Sequence, residues 1–226
     1  MRVPISAVLV VVPARNERRL LAACLDSIDV AAQRVPYPVA TVVVLDRCTD
    51  GTESVLRGRT VHCVVSSAGC VGAARAAGVG AGLAPWGDNR TERVWIANTD
   101  ADSTVDPDWL GHHVELADRG ADAVLGTVTM RGVPRAVDRA WRSGYKATEG
   151  HHHVHGANLG VRASTYLRVG GFAALAVHED VELARAVTAL PAAVVRTAAA
   201  PVTTSGRLVA RAPDGFAAHL RGLQVG

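Results

Sequence analysis

The chain has 226 residues, of which 49% are hydrophobic and 20% charged. This length favours one α/β domain with an appendage over two full domains, and this composition is too apolar for a disordered chain and too poor in cysteine for a disulfide scaffold. The net charge is +3 and the basic residues are scattered singly, which argues against nucleic acid as a partner. Because the apolar run at residues 7–12 is cut by Pro13, we expect no export signal, no membrane span and a cytoplasmic protein.

The first half alternates β-branched runs with helical stretches. The predicted strands span residues 7–12, 40–45, 61–65 and 93–97, and the predicted helices span residues 17–31, 50–57, 71–83 and 107–119. Asp106 followed by Pro107 is typical of a helix start. This order predicts βαβ units with a parallel sheet. The strand runs are apolar throughout, which indicates helices on both faces of the sheet.

The second half is less regular. A strand is predicted at residues 122–130, a helix at 135–145 and another helix at 179–190, with a loop rich in glycine and histidine between the helices. The four cysteines form no C-x-x-C pair, so we expect reduced, buried thiols.

Ligands of open α/β sheets bind beyond the carboxyl ends of the strands, so the turns after the strands form the candidate site. These turns are Pro13-Ala14-Arg15-Asn16-Glu17, Asp46-Arg47-Cys48-Thr49-Asp50-Gly51-Thr52, the segment from Gly69, and Asn98-Thr99-Asp100-Ala101-Asp102-Ser103. The first turn lacks the G-x-G-x-x-G of dinucleotide-dependent enzymes, and no Gly-Lys-Ser/Thr of a P-loop occurs.

Asp100 and Asp102 are separated by one residue after an apolar run. Two carboxylates at this spacing can converge on one hard cation, which would in turn hold a diphosphate. The alternative is an Asp-rich turn that caps the following helix, although Asp106 already supplies a cap.

An ordered set of segments is more specific than any one motif. In chain order these are V-P-A-R-N-E (residues 12–17), L-D-R-C-T-D-G-T (45–52), T-D-A-D-S (99–103), G-A-N (156–158), G-G-F (170–172) and E-D (179–180). Over residues 8–190 the chain resembles family-2 glycosyltransferases. The resemblance implies a single glycosyltransferase-A domain over residues 1–226, with a mostly parallel Rossmann-like sheet. Residues 1–105 would bind the nucleotide sugar and residues 106–226 would form a smaller acceptor half.

The resemblance also implies roles for individual residues. Those that would hold the donor, a UDP- or GDP-sugar, are Pro13, Ala14, Glu17, Asp46, Arg75, Asp100, Asp102 and Arg207. Asp100 and Asp102 would bind Mg²⁺ or Mn²⁺ together with the diphosphate. Asp180 matches the general base of inverting members, although a carboxylate there also favours a helix N-terminus. Those that would bind the acceptor are His155, Gly156, Asn158 and Glu179.

The tract His151-His152-His153-Val154-His155 admits two interpretations. It is either an acceptor-side loop, which its position before G-A-N favours, or a transition-metal site. Trp141 and Tyr145, four residues apart on a helix, could stack on a sugar, but core packing is favoured.

The resemblance therefore implies metal-dependent transfer of one sugar, with inversion favoured by the Asp180 match over retention, which some transferases of this fold carry out. The alternatives are a sugar-1-phosphate nucleotidyltransferase and a silent nucleotide-sugar-binding module. The chain lacks the Gln-x-x-Arg-Trp motif of processive polysaccharide synthesis, so a single addition is expected. Residues 216–223 could give weak membrane association.

Overall fold

The computed structural model describes residues 3–207 together with residues 220 and 222. Its strands are β1 (Ala7–Ala14), β2 (Val39–Asp46), β3 (His62–Ser66), β4 (Val94–Asn98), β5 (Ala123–Arg131), β6 (Leu159–Arg162) and β7 (Val194–Ser205). These form one sheet in the order β3-β2-β1-β4-β6-β5-β7. All neighbouring pairs are parallel except the two that β6 makes with β4 and β5. The predicted mostly parallel α/β sheet is confirmed.

Six α-helices accompany the sheet in the described residues. They are α1 (Leu21–Ala32), α2 (Val71–Leu83), α3 (Trp109–Asp118), α4 (Arg135–Gly144), α5 (Ala163–Arg168) and α6 (Glu179–Thr188). Strand β1 shows why its apolar run does not alternate in polarity: Val8 and Val10 pack into the core with α1 and α3, and Leu9 packs into the opposite core with α2 and α6. Both faces of the sheet are therefore buried, as the continuous runs predict.

Two of the predicted helices differ from the structure. The helix expected at residues 50–57 is a short 3-10 turn, Thr52–Leu56, bounded by Gly51 and Gly58 with φ of 82° and 74°. Helix α1 begins at Leu21 rather than at Glu17, because residues 17–20 form a separate turn in which the Leu20 N–H donates to the Glu17 carbonyl. The two glycines and the turn at residues 17–20 therefore interrupt the predicted helices. The spacing of apolar residues alone is compatible with helix at these positions.

The sequence did not predict β6, α5 or β7. Strand β6 has only four residues, and β7 contains an Ala-rich stretch with Ala200 at a φ of 50°. Their pairing with distant strands stabilises them, since β7 lies beside β5 and β6 joins β4 to β5. Long-range pairing of this kind leaves no periodic signal in a short segment.

Two further sequence predictions concern the cysteines and a membrane segment. The prediction of buried thiols is wrong for Cys63, which is exposed on edge strand β3, whereas Cys24 is buried and all four cysteines are unpaired. No helix among the described residues is long and apolar enough to cross a membrane. The segment 216–223, considered for membrane association, lies outside the described residues apart from positions 220 and 222.

Candidate functional site

A cleft of about 790 Å³ opens where the carboxyl ends of β1, β2 and β4 meet the start of α6. Of the predicted site residues, those that line it are Pro13, Ala14, Glu17, Asp46, Arg75, Asp100, Asp102, His155, Gly156, Glu179, Asp180 and Arg207. The fold thus gathers into one cleft residues as far apart in sequence as Pro13 and Arg207. Asn158 does not line it.

Asp46 ends β2 and is buried at one end of the cleft. Its Oδ1 accepts hydrogen bonds from the Ser66 hydroxyl at 3.0 Å and from the Gly69 N–H at 3.0 Å. Because one oxygen is held by the neighbouring strand and loop, the carboxylate has a fixed orientation before any ligand arrives.

Arg75 of α2 joins the loop after β4 to the start of α6. Its side chain is 2% exposed, and its guanidinium donates from Nη2 to Asp100 Oδ1 at 2.6 Å and from Nε to Glu179 Oε1 at 3.1 Å. Burial opposes the charge of Arg75, but the carboxylates of Asp100, Glu179 and Asp180 outweigh it and raise the pKa of this arginine. The cation is therefore a permanent counter-charge between the two sides of the cleft.

Glu179 and Asp180 begin α6 but have different surroundings. Glu179 is buried against Arg75, and burial raises its pKa in spite of that cation. Asp180 is half-buried; its Oδ2 accepts from the Gly156 N–H at 2.6 Å and its Oδ1 from the Val181 N–H at 2.8 Å. Each carboxylate oxygen of Asp180 keeps lone-pair capacity towards the cleft.

Asp102 lies on the far side of the same loop, against the end of β7. Its Oδ2 is 2.9 Å from Arg207 Nη2, and Arg207 Nη1 is 2.6 Å from Glu17 Oε1. Burial and the nearby Asp100 raise the pKa of Asp102, and the Arg207 guanidinium opposes that rise. Arg207 thus bridges the turn after β1 and the loop after β4.

Thr204 also lines the cleft, although it is not among the site residues predicted from the sequence. Its hydroxyl accepts from the Ser103 hydroxyl at 2.9 Å and lies 3.4 Å from Asp102 Oδ1. Val202 and Thr204 are both buried, as expected for alternate residues on one face of a strand. If β7 had been predicted as a strand, the alternation of its side chains would have indicated that Thr204 faces the site.

The charge of the cleft is suited to a divalent cation. The lining carboxylates are Glu17, Asp46, Asp100, Asp102, Glu179 and Asp180, and the lining arginines are Arg15, Arg75 and Arg207. Six acids against three arginines leave an excess of negative charge that would repel an anionic diphosphate. No group of three or more His, Cys, Asp or Glu side chains in the described part of the chain could hold a metal unaided. Mg²⁺ needs only one or two carboxylates where phosphates and water complete its shell, so Asp100 and Asp102 fit such an ion.

The opposite side of the cleft is aromatic. The Tyr145 ring stacks on Trp141 at 3.9 Å and on His153 at 4.0 Å between centroids, and all three residues line the cleft. Trp141 is buried, as the favoured core interpretation predicts. The Tyr145 hydroxyl accepts from the Val128 N–H at 3.0 Å and lies 2.9 Å from His155 Nε2.

The histidine tract does not form a zinc site among the described residues. Its imidazoles are instead held by protein partners: His151 Nδ1 accepts from the His153 N–H at 3.1 Å, and His151 Nε2 lies 3.2 Å from the Thr197 carbonyl. Burial and the adjacent imidazoles lower the pKa of His155 to about 4. These contacts are those of a loop in which His153 and His155 line the cleft, and its role towards an acceptor stays a prediction.

Asn158 is a correction to the predicted acceptor residues. It is 1% exposed; its Oδ1 accepts from Trp109 Nε1 at 2.9 Å, and its Nδ2 donates to the Thr127 carbonyl at 2.9 Å. A buried amide with partners on both ends ties α3 to β5. The segment G-A-N therefore contributes Gly156 and Ala157 to the cleft and uses its asparagine inside the fold.

Comparison with known proteins agrees with this geometry. The fold matches S. aureus TarS 1–349 with a TM-score of 0.62 at 16% identity, over 96% of this chain and 69% of that one. It matches the complex of TarS 1–349 with UDP-GlcNAc with a TM-score of 0.65 at 17% identity, over 93% and 61%. It matches GalNAc-T7 with UDP, GalNAc and Mn²⁺ with a TM-score of 0.66 at 11% identity, over 92% and 46%.

At these identities the structural likeness shows the fold, and the chain spans about half to two thirds of the length of these proteins. None of the curated protein sequences compared with this chain matches it. The sequence model of glycosyl transferase family 2 matches residues 9–165, well over half of the chain. This chain belongs to glycosyltransferase family 2.

Proposed function

We propose that this protein transfers a single sugar from a nucleoside-diphosphate sugar to an acceptor hydroxyl, with a divalent metal and with inversion at the sugar carbon. One observation supports the proposal above the others. Arg75 contacts both Asp100, in the loop that would hold the diphosphate, and Glu179, the residue before Asp180. A donor bound beside Asp100 would present its sugar towards the start of α6, where Asp180 follows the Glu179 that Arg75 holds.

The donor would lie along the ends of the parallel strands. Asp46, Pro13 and Ala14 line the cleft and would hold the nucleoside. Two hydrogen bonds orient Asp46, which would accept a further one from the base. The structures of TarS with UDP-GlcNAc and of GalNAc-T7 with UDP and Mn²⁺ support a UDP-sugar as the first donor to test.

Asp100 and Asp102 would hold Mg²⁺ or Mn²⁺ and, through it, the diphosphate. When bound, such an ion supplies neutralisation of the charge that develops on the departing nucleoside diphosphate. Arg207 would contribute to the same neutralisation, because its guanidinium lies beside Asp102 and Glu17 at the cleft. Arginine is well suited to bidentate contact with phosphate oxygens.

Asp180 would act as the general base. Its carboxylate would take the proton of the acceptor hydroxyl, whose oxygen forms a bond to the sugar carbon as the bond from that carbon to the diphosphate breaks. Glu179 is less suited to this task, because its carboxylate is buried and paired with Arg75. The Gly156 N–H donates to Asp180 Oδ2 at 2.6 Å, and this hydrogen bond would orient the base.

Measuring nucleoside-diphosphate release from a panel of UDP- and GDP-sugars, with Mn²⁺ and then with excess EDTA, tests this function. We expect release that requires the ion, and NMR of the product should show an inverted anomeric centre. Failure of every nucleotide sugar to bind would refute the proposal. Donor binding without release across a broad acceptor panel would indicate a silent module, and pyrophosphate release from a nucleoside triphosphate and a sugar phosphate would indicate a nucleotidyltransferase.

The number of sugars added is a separate test. The absence of the Gln-x-x-Arg-Trp motif from the sequence supports one addition per acceptor. Mass spectrometry of the product after long incubation should show a single sugar increment, and a ladder of increments would contradict this part of the proposal.

A further inference from the structure

The cleft has two walls of opposite chemical character. Its charged lining residues belong to the loops after β1, β2 and β4, to α2, to the start of α6 and to the end of β7. Among the described residues that line it between positions 128 and 157, none is Asp, Glu, Lys or Arg; they include Val128, Trp141, Tyr145, Val154 and Ala157. An acceptor that enters beside Asp180 would therefore meet an apolar surface.

The polar atoms on this wall are already engaged. The Tyr145 hydroxyl is held between the Val128 N–H and His155 Nε2. Burial and the neighbouring imidazole of His151 lower the pKa of His153, so its ring is neutral at physiological pH. A wall with few free donors and acceptors cannot match the many hydroxyls of a carbohydrate acceptor, because each hydroxyl buried there without a partner costs free energy.

The apolar character continues at the mouth of the cleft. Leu175 and Val181 are 38% and 41% exposed, and they belong to the few large hydrophobic side chains that remain exposed in the described residues. The loop that contains Leu175 rests on α2, where the Gly72 N–H donates to the Leu175 carbonyl at 3.0 Å and a Cβ at Gly72 would collide with the Ala173 carbonyl. The loop that contains Leu175, and that continues into the lining residues Ala176 and Val177, therefore has a fixed position on α2.

Given the proposed function, we propose that the acceptor is an uncharged hydroxyl compound with an apolar body, and that this body lies against the ring stack of Trp141, Tyr145 and His153. The surplus of carboxylates in the cleft would repel an anionic acceptor, and the described lining residues between positions 128 and 157 include no acidic side chain that would hold a cationic one. A ring or prenyl chain would gain free energy from apolar area on this wall, while its hydroxyl reaches Asp180.

Naphthol and farnesol are suitable probes, since both are neutral alcohols and they distinguish a planar body from a prenyl chain. Methyl glucoside and hydroxynaphthoate are the matched polar and anionic controls. Calorimetric titration of the UDP-loaded protein with each compound measures acceptor binding without any requirement for transfer. We expect naphthol or farnesol to bind at least roughly tenfold more tightly than either control. Tighter binding of methyl glucoside or hydroxynaphthoate would overturn the proposal.

Variants of His153 test the wall itself. His153→Ala should weaken binding of the preferred probe by up to roughly tenfold, and His153→Phe should restore it, because ring area and not imidazole chemistry holds the ligand. The exposed neighbour His152, which does not line the cleft, gives the control His152→Ala with unchanged probe binding. Loss of binding in His153→Phe as large as in His153→Ala would overturn the proposal.

Titration with UDP and Mn²⁺ separates this inference from the function on which it rests. If UDP binds and the apolar alcohols do not, the acceptor inference is wrong and the donor site stands. If UDP does not bind, the proposed function fails, and titration of the unloaded protein with the same four compounds still decides whether the wall selects a neutral apolar alcohol.

Discussion

The polar side chains of the cleft are satisfied in different ways on its two walls. On the charged wall, which we call the donor wall, carboxylates are paired with arginines: the buried Arg75 contacts Asp100 and Glu179, and the half-buried Arg207 contacts Asp102. On the aromatic wall formed by residues between 128 and 157, which we call the acceptor wall, the tyrosine and histidine side chains bond to each other or to the backbone. In the proposed function a charged ligand completes the first arrangement, whereas the second needs no charged partner.

This contrast has an energetic basis. A buried ion pair recovers its desolvation cost only while both partners are present, and removal of one leaves an uncompensated charge. A neutral hydrogen bond contributes less and costs less to lose. Changes on the donor wall should therefore have larger effects and depend more on charge than changes on the acceptor wall.

The largest effect is expected on turnover, from a change at Asp180, where the two walls meet. Asp180→Asn keeps the shape of the side chain but cannot take a proton, so turnover should fall by roughly 10²–10⁴-fold, while the Kd for the donor is unchanged. Product formation at saturating substrates and titration with UDP measure the two quantities. Glu182→Gln, in the same turn of α6, is the matched control. Near-normal turnover of Asp180→Asn would transfer the role of base to another group.

Removal of Arg75 should mainly lower stability. Arg75→Met leaves the buried Glu179 without its counter-charge, and the free energy of unfolding should fall by about 3–5 kcal/mol, measured by urea denaturation. The folded-state pKa of Glu179 is raised and should rise further in this variant. The stability of the Arg75→Met protein should therefore be lost as the pH rises from the ordinary glutamate pKa of 4.5 through that raised pKa. The double variant with Glu179→Gln should lack this added pH dependence, and its presence there would contradict the assignment.

Asp102 tests the charge of the donor wall. Asp102→Asn should weaken Mn²⁺-dependent binding of UDP by roughly 10²-fold, because the ion and diphosphate lose a buried counter-charge. Titrations with Mn²⁺ and with EDTA separate the part that depends on the ion. Asp108→Asn, which changes an exposed aspartate paired with Arg34, should leave UDP binding unaltered. Equal affinities of the two variants would remove Asp102 from the proposed site.

A hydroxyl on the acceptor wall should matter less. Tyr145→Phe leaves the Val128 N–H without its acceptor and should lower the free energy of unfolding by about 1–3 kcal/mol. Tyr166→Phe is a matched comparison away from the cleft, because its hydroxyl accepts from the Phe172 N–H at 3.1 Å. Both variants should be destabilised to a similar extent in urea, and neither loss should depend on salt. A salt-dependent loss in Tyr145→Phe would contradict the neutral character of the wall.

The smallest effect is expected on stability at acidic pH, through His155. Because the folded-state pKa of His155 is lowered from 6.5 to about 4, its contribution to stability is present above pH 6.5 and is lost as the pH falls towards 4. Urea denaturation across this range should show a shallower decline in His155→Gln than in the wild-type protein. His152→Gln, at an exposed position, should follow the wild-type curve. A decline in His155→Gln as steep as that of the wild type would contradict the neutral imidazole.

The donor wall could largely be predicted from sequence, whereas the acceptor wall could not. Strands β1, β2 and β4 are apolar runs with polar turns directly behind them, and the carboxyl ends of parallel strands meet at one edge of a sheet. Asp46, Asp100 and Asp102 could therefore be placed together before their contacts were known. On the acceptor wall, β6 and β7 form through pairing between distant segments, and Asn158, expected at the cleft, lies inside the fold.

The chemical role of the histidine tract could not be predicted from the sequence alone either. Four imidazoles within five residues indicate either a metal or a loop, and residue type alone cannot separate the two. The choice depends on burial and on which atoms lie opposite each ring. His151 faces the backbone of β7, and His155 faces Tyr145.

The sequence by itself determined the α/β class, the order of strands and helices in the first half, and the positions of the carboxylates at the strand ends. These features follow from local periodicity and from where each apolar run stops. Only the tertiary structure decided that Arg75 links Asp100 to Glu179, that Arg207 links Glu17 to Asp102, and that the acceptor wall is neutral. Such pairings join residues far apart in the chain, and burial, which exists only after the chain has folded, sets their charge states.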